Sequence, residues 1–472
     1  MTWNTKASQP IVGPSVACQR LRELAERQKT LPRKHVLEAL ERGLEAADPA
    51  LLLRRHVRRK GGYLIVGLRR FNLSKYERVF LIGGGKAAAG MALQIDKILK
   101  DKLTGGVVNV PAYLNLKTRH GRILFHSATH PLPTGSGVRG VEKMLELVED
   151  SSSKDLVVCI LSGGGSALMP SPAPGLPLED LKKTTELFLK AGARIDELNT
   201  VRKHLSSING GRLAEQLYPA TVLSLIISDV VGDKIEDIAS GPTAPDSSTY
   251  ADAGRVVRKY QMEKKVPADV RRILQRGILG SLPETPKPGS RIFKRVHNIV
   301  VGRNKDSCAA AARSLQHRGY RTLVLTTMLR GESKHIGTAL ASFLLGPDKT
   351  RFSARTPLAL VAGGETTVTV KGKGLGGRNQ EIVLSAALQM RGLPNVALAS
   401  MATDGIDGQT MAAGAVADGE SLERGLEKKL LAQDFLENND SHTFFKELDD
   451  LIITGPAGTN INDIVAAASV VK

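Results

Sequence analysis

Twice the chain strings together a run of apolar residues, a cluster of glycines and the opening of a helix. The first instance is RVFLIGGGKAAAGMALQIDKIL at 78–99 and the second is DLVVCILSGGGSAL at 155–168. A strand that is apolar at nearly every position has both faces buried, which happens in a sheet covered by helices on both sides. A glycine turn into a helix is also the connection that brings the next strand back parallel to the first. TVLSLIISDVVGD at 221–233 supplies another such strand, ending in an acidic, glycine-bearing loop, and TGGVVNVPAYL and RILFHSATHPLP read as further strands. The expectation is an α/β fold whose N-terminal part is a Rossmann-like parallel sheet.

At 472 residues the chain exceeds what one hydrophobic core usually supports, so two domains are expected. The Pro- and Gly-bearing stretch LPETPKPGSRIF at 282–293 is the best linker, dividing the chain into domains over 1–284 and 285–472. Apolar spacing in VACQRLRELAERQ and HVLEALERGLEAA predicts helices ahead of the first sheet. Beyond the linker, residues 296–327 form a strand–helix–strand pattern, followed by LALVAGGE, TTVTVKG and ALASMATDG as strands. TTVTVKG alternates, which points to antiparallel pairing and a mixed second sheet. The fold class is thus two three-layer α/β/α domains, the C-terminal one built on a mixed sheet.

A net charge of +19 suits polyanionic partners: nucleic acid, an anionic membrane surface, or small anionic substrates. Aromatic residues make up 4%, too few to supply the stacking platforms of a single-strand binder. The densest basic stretch holds Arg54, Arg55, Arg58, Arg59, Lys60, Arg69, Arg70, Lys75 and Arg78. It reads most simply as a solvated helix end and hairpin. No apolar run approaches the ~20 residues of a membrane span. Neither a nucleic-acid nor a membrane partner is therefore expected. Cys18, Cys159 and Cys308 lack paired spacing, which indicates a reducing compartment. The cytoplasm is expected. A mitochondrial location is the alternative, because the first 22 residues lack acids and carry Lys6, Arg20 and Arg22, an echo of a transit peptide. The oligomeric state, a homodimer among the options, is not set by the sequence.

Ligands of open α/β sheets bind beyond the carboxyl ends of the strands, so the loops there carry the candidate site. Gly83-Gly84-Gly85-Lys86 offers bare amides and one cation at a helix start, suited to phosphate or carboxylate; the plain alternative is a tight turn with Lys86 in solvent. Ser162-Gly163-Gly164-Gly165-Ser166 offers a longer run of bare amides flanked by hydroxyls. No Lys-Ser/Thr pair closes it, so it is not a Walker A loop. Asp229 with Asp233, and Asp404 with Asp407, bracket glycines after strands, as Mg²⁺ carboxylates or as turn and helix-cap residues. Glu365 could add a carboxylate, and Arg378 follows paired glycines where a guanidinium can grip a carboxylate or phosphoryl group. His130, in a Pro-rich loop, is a donor or base, or simply structural. A dinucleotide site would need an acid at the end of the second strand, where Asn109 and Pro111 stand.

In order, GGGKAA with Lys86, LSGGGSAL, ELNTVRKHLS, SDVVGDKIEDIASGPTAPD, GGETTVTVKGKGLGGRNQE, ATDGIDGQTMAAGA, NDSHTFF and TGPAGTNIND resemble the glycerate 2-kinase family. The resemblance runs from about residue 80 to about 465. NDSHTFF looks like its animal branch, and the segment from about 357 to 465 looks like the multi-organism fragment with rich leucine domain. The resemblance implies two dissimilar α/β/α domains with the active site in the cleft between them. It implies the reaction of ATP and D-glycerate to 2-phosphoglycerate and ADP, with Mg²⁺. The family's critical lysine and arginine fall on Lys86 and Arg378, and Asp404 is expected to orient or deprotonate the glycerate hydroxyl. Gly84, Gly85, Ser162, Gly163, Gly164, Gly165, Ser166 and Asn379 are the expected ATP-binding residues, and Asp229 and Asp233 the expected Mg²⁺ ligands.

Asn209, Met411 and Ala457 depart from the pattern, standing where a lysine, an acid and a threonine are usual. An active enzyme, with altered affinity where Asn209 lies near phosphate, is expected. The rival readings are an NAD(P)H-dependent hydroxypyruvate reductase and a basic nucleic-acid-binding protein.

Overall fold

The computed structural model describes residues 13–345 and 357–470. Lys6 and most of the segment read as a transit-peptide echo lie outside the described residues. The chain divides into two compact units, Pro49–Val301 and a second made of Met1–Asp48 together with Gly302–Lys472.

In the first unit, the helix Pro49–His56 leads into an antiparallel meander of β1 (Val57–Lys60), β2 (Tyr63–Val66) and β3 (Arg69–Asn72). The basic stretch is thus a helix end followed by half-exposed strands, and several of its cations are used internally. Arg59 donates to the Leu99 carbonyl and Asp101, Arg70 lies over the Tyr63 ring, and Arg78 grips Asp155 with two bonds.

The main sheet of this unit contains β4 (Arg78–Gly84), β5 (Gly105–Pro111), β6 (Arg119–His120), β7 (Ile123–Ala128), β8 (Asp155–Leu161), β9 (Thr221–Ile227) and β10 (Val296–Gly302). Their spatial order is β10-β9-β8-β4-β5-β7-β6. The pairs β4–β5, β4–β8, β5–β7 and β8–β9 are parallel, and the short β6 runs antiparallel to β7. Every residue of β8 and β9 is buried, which is why both read as unbroken apolar runs. A separate helical core joins Leu178–Lys190, Ile195–His204, Tyr250–Lys259 and Ala268–Ile278 around Phe188, Val201, Tyr250 and Val270.

The second unit holds β11 (Arg321–Leu329), β12 (Leu358–Gly364), β13 (Val396–Ala402), β14 (Gly414–Asp418), β15 (Leu451–Ile452) and β16 (Asp463–Ser469), in the order β11-β12-β16-β13-β14-β15. β11 and β12 are parallel, and the remaining pairs are antiparallel, so the sheet is mixed as expected. Strand periodicity sorts its side chains into two cores. Ala397, Ala399, Met401, Ile464, Ala466 and Ala468 meet the helices Pro14–Glu26, Leu31–Ala46 and Asn304–His317. Val396, Leu398, Val465 and Ala467 face Ser333–Leu345 and Arg378–Met390.

Two expectations differ from this arrangement. The compact units do not part at 284/285. Thr285 bonds Asp246, Pro286 accepts the Asp246 N–H, and β10 joins the first sheet beside β9, so 282–301 stay with the first unit. The N-terminal helices go with the second unit because their apolar faces complete its core. TTVTVKG, expected as a strand, is a loop. Thr367 makes a single backbone bridge, to Gly331 and Ser333, and beyond it side chains meet the amides, Thr369 N–H by Glu332 and those of Lys371 and Gly372 by Asn439, so no ladder extends.

Arg33 fastens the N-terminal helices to their sheet, donating to Asp418 at 3.2 Å and to Asp450 at 2.5 Å with all three side chains buried. Arg33→Ala leaves Arg424, at 2.6 Å from Asp450 and 3.9 Å from Asp418, as their remaining cation, and urea unfolding is expected to show a loss of about 3 kcal/mol. A loss below ~1 kcal/mol would remove this pairing from the unit's stability.

Candidate functional site

Strands β4 and β8 are parallel neighbours with Gly84 opposite Leu161, so their glycine loops leave the sheet at one place. Hydrogen bonds stitch the loops together. Lys86 N–H donates to the Gly163 carbonyl at 2.8 Å, Ser162 N–H to the Gly84 carbonyl at 3.3 Å, and Ala87 N–H to Ser162 Oγ at 3.0 Å. Gly164 has φ 77°, and a Cβ there would come within 2.9 Å of the His130 ring and 3.3 Å of the Lys86 stem. The Lys86 and His130 side chains therefore both lie against the second glycine loop. Ser162 was expected to bind ATP, but it is fully buried and its hydroxyl is taken by Ala87. It holds the two loops together from within.

Ser166 follows the glycines and hydrogen-bonds Ser240 at 2.8 Å. Ser240 also donates to Asn199 Oδ1 at 3.2 Å and accepts from Arg202 Nη2 at 3.2 Å. Ser240 has one hydroxyl proton, and Asn199 takes it, so Ser166 is the donor in the first bond. Ala239 and Ser240 both adopt left-handed backbone, φ 50° and 59°, a conformation costing about 1–2 kcal/mol at each non-glycine residue. The Gly210 N–H to Ser240 carbonyl and Gly211 N–H to Gly241 carbonyl bonds hold this kink. Asn209 is buried next to Gly210, which places the departure at this position beside the Ser240 segment. Asn199, Arg202 and Ser240 were missed by residue-level reading; their only signal was membership of the ELNTVRKHLS and SDVVGDKIEDIASGPTAPD blocks.

Asp229 and Asp233 lie on the loop after β9, both partly exposed, with Asp233 in left-handed backbone at φ 54°. Among the described residues no group of three or more His, Cys, Asp or Glu is placed to hold a metal. Mg²⁺ in phosphoryl transfer usually takes one or two carboxylates and completes its shell with phosphate and water. Two part-exposed carboxylates on one loop fit that chemistry.

In the second unit, Arg378 opens the helix Arg378–Met390. Its guanidinium forks onto Asp463, Nε to Oδ2 at 2.6 Å and Nη2 to Oδ1 at 3.0 Å, while Nη1 donates to Glu365 at 2.7 Å. Burial by itself would lower its pKa, but Asp463 and then Glu365 outweigh it and raise the pKa above the ordinary value. Asp463 is buried and Glu365 is exposed, so the Nη1 edge is where an incoming oxyanion could displace a partner. Asp404 sits just after β13 with Oδ1 accepting from the Ile406 N–H, and its carbonyl accepts from Ala457 N–H. Met411 is exposed and Ala457 is fully buried.

Asn379, expected to bind ATP, is fully buried, donating to Asp407 and accepting from Ser400. Of the two expected readings of Asp407, the helix cap is the one observed. Its carboxylate accepts the N–H groups of Asn379 and Gln380 and both their side-chain amides. Gly377 makes room for it, since a Cβ there would lie 2.3 Å from the Asp407 carboxyl carbon. The NDSHTFF block pins the loop ahead of Arg378. Asn438, Asn439 and Asp440 accept from the amides of 371–375, and His442 bonds Gln380.

Burial pushes the Asp407 carboxyl up to about 6, beyond what the Gln380 and Asn379 donors offset. Between about pH 4 and about pH 6 the native state therefore binds this proton more tightly than the unfolded chain, so its contribution to stability falls as pH rises through that window. Urea midpoints across pH 4–7 should show this downward component in the wild type and not in Asp407→Asn. Identical slopes would mean that folding does not raise the pKa of this carboxyl.

Residues 35–275 match the family model described as a domain of unknown function, DUF4147, and residues 358–463 match the MOFRL family. A glycerate 2-kinase of Pyrococcus horikoshii is 40% identical over 91% of this chain and 96% of its own length. An Agrobacterium vitis protein, provisionally named a hydroxypyruvate reductase, is 38% identical over 82% of this chain and 98% of its own. The crystal structure of a Thermotoga maritima glycerate kinase superposes with a TM-score of 0.78 at 37% identity, over 93% of this chain and 99% of that one. With its two α/β units, stitched glycine loops and capped arginine helix, the chain belongs to the glycerate kinase family of enzymes.

Proposed function

We propose that the protein transfers the γ-phosphoryl group of ATP to the 2-hydroxyl of D-glycerate, giving 2-phosphoglycerate and ADP. The observation that carries this reading is the stitched pair of glycine loops with Lys86 lying against Gly164. Bare amides and a cation that need no reorganisation are what phosphoryl transfer requires of a protein, since little covalent chemistry is left for it to do. Gly163, Gly164, Gly165 and Ser166 hold phosphate oxygens, with Gly84 and Gly85 shaping the loop beneath Lys86. Asp229 and Asp233 would hold Mg²⁺, which supplies charge neutralisation between the phosphoryl groups. Lys86 and Arg378 are the two cations of the transfer, Arg378 through the edge now shared with Glu365. As the O–P bond forms, the hydroxyl proton has to leave, and Asp404 is assigned to orient that hydroxyl and receive it.

Reduction of hydroxypyruvate by NAD(P)H finds less support. The position for a ribose-binding acid at the end of β5 holds Asn109, which is fully buried and donates to the Gly137 and Leu168 carbonyls.

The test is ³¹P NMR of protein, ATP, Mg²⁺ and D-glycerate. A resonance of 2-phosphoglycerate is expected, and Lys86→Ala should lower kcat by about 10²–10³-fold with the fold intact. A 3-phosphoglycerate signal would overturn the regiochemistry, and equal rates with and without Lys86 would remove it from the mechanism.

A further inference from the structure

Arg202 and Lys203 are adjacent on the helix Ile195–His204 and have opposite circumstances. Lys203 is buried against Asp246 at 3.3 Å, with Glu236 at 4.0 Å, and is fully accounted for as a structural ion pair. Arg202 is only partly buried, yet among the described residues its side chain has one hydrogen bond, from Nη2 to the Ser240 hydroxyl, and no carboxylate partner. Burial alone lowers its pKa to about 10, with no neighbouring charge to oppose the shift. A guanidinium has five N–H donors, and with one spent on Ser240 the partly exposed group keeps the others for an incoming acceptor.

Its single anchor is informative. Ser240 is presented by the left-handed backbone at Ala239–Ser240 and hydrogen-bonded to Ser166, the last residue of the second glycine loop. Asn199, one turn earlier on the same helix face, holds the Ser240 proton and so leaves the hydroxyl oxygen to accept from Arg202. Ala239 packs the other side, its Cβ lying 2.7 Å from where a Cβ on Gly165 would stand. Strained backbone, a spent hydroxyl network and a close glycine contact all fix the guanidinium beside the second glycine loop.

We infer that Arg202 is an anion-receiving residue of the second glycine loop, its remaining N–H groups taking the oxygens of a carboxylate or phosphoryl group held at Gly163–Ser166. This deepens the kinase reading and rests on it for the identity of the anion, which is either the glycerate carboxylate or an ATP phosphate. Arg202 is thus a substrate-binding residue beyond the Lys86 and Arg378 pair.

The experiment is steady-state kinetics of Arg202→Gln and Arg202→Lys, varying D-glycerate and ATP separately, with calorimetric titration of D-glycerate and of ADP alongside. Losing a charge-assisted fork should raise one KM by about tenfold to a hundredfold in Arg202→Gln, with kcat changed far less. Arg202→Lys, which keeps the charge but not the fork, should fall between, and it carries the test if the glutamine variant does not fold. A rise confined to glycerate assigns the carboxylate, and one confined to ATP, with matching loss of ADP binding, assigns the phosphate. Folded variants with both KM values within twofold of wild type would overturn the inference and leave the kinase reading standing. Wild-type protein that turns nothing over, yet binds either probe in an Arg202-dependent way, would sink the kinase reading and leave the inference intact.

Discussion

The candidate chemistry of the first unit rests on the hydrogen bonds between its two glycine loops. Lys86 N–H to Gly163, Ser162 N–H to Gly84, and Ala87 N–H to Ser162 Oγ tie together segments some 75 residues apart in sequence. They are available because β4 and β8 are parallel neighbours in register, so both loops depart from the same stretch of sheet edge. Without the stitch, each loop would be a lone glycine turn, and bare amides on a mobile loop lose much of their advantage over water. Preorganisation is what makes such donors useful to a transferring phosphoryl group. The buried Ser162 matters here as a fastener of backbone.

The second unit solves the same problem differently. Arg378 is set by the cap on its own helix, where Asp407 takes up the first free N–H groups and Gly377 yields the space. The loop ahead of it, with no ladder of its own, is held by side chains of the Asn438–Asp440 segment. Burying that many polar groups is tolerable because nearly all are paired, and a fully satisfied network specifies one arrangement. The cost appears at Asp407, whose carboxyl is pushed up to about 6 by burial despite its donors. Arg378 keeps its charge because Asp463 and Glu365 outweigh its own desolvation.

These two designs explain which candidate residues could be read in advance. Glycine clusters after apolar strands mark loops, and Lys86, Gly163–Ser166 and Arg378 are legible because their neighbours in sequence are also their neighbours in space. Arg202, Asn199 and Ser240 are not, since their relation to Ser166 exists only after a helix of the accessory core docks beside the loop. For Asn379, sequence adjacency to Arg378 says nothing about which way the first helical turn faces, and its side chain meets Asp407 and Ser400.

By itself the sequence determined the layered α/β class, the two sheets and the placement of the glycine loops at strand ends, because periodicity and glycine clustering are local properties of a chain. Tertiary structure decided what no local window contains. The N-terminal helices, read as part of the first domain, complete the core of the second unit, where Arg33 reaches Asp418 and Asp450, 385 and 417 residues away in sequence. TTVTVKG, with the alternation of a strand, is a loop beyond Thr367, where the side chains of Asn439 and Glu332 meet its amides. Strand and loop differ in who supplies the hydrogen-bond partners, and partners distant in sequence are known once the chain has folded.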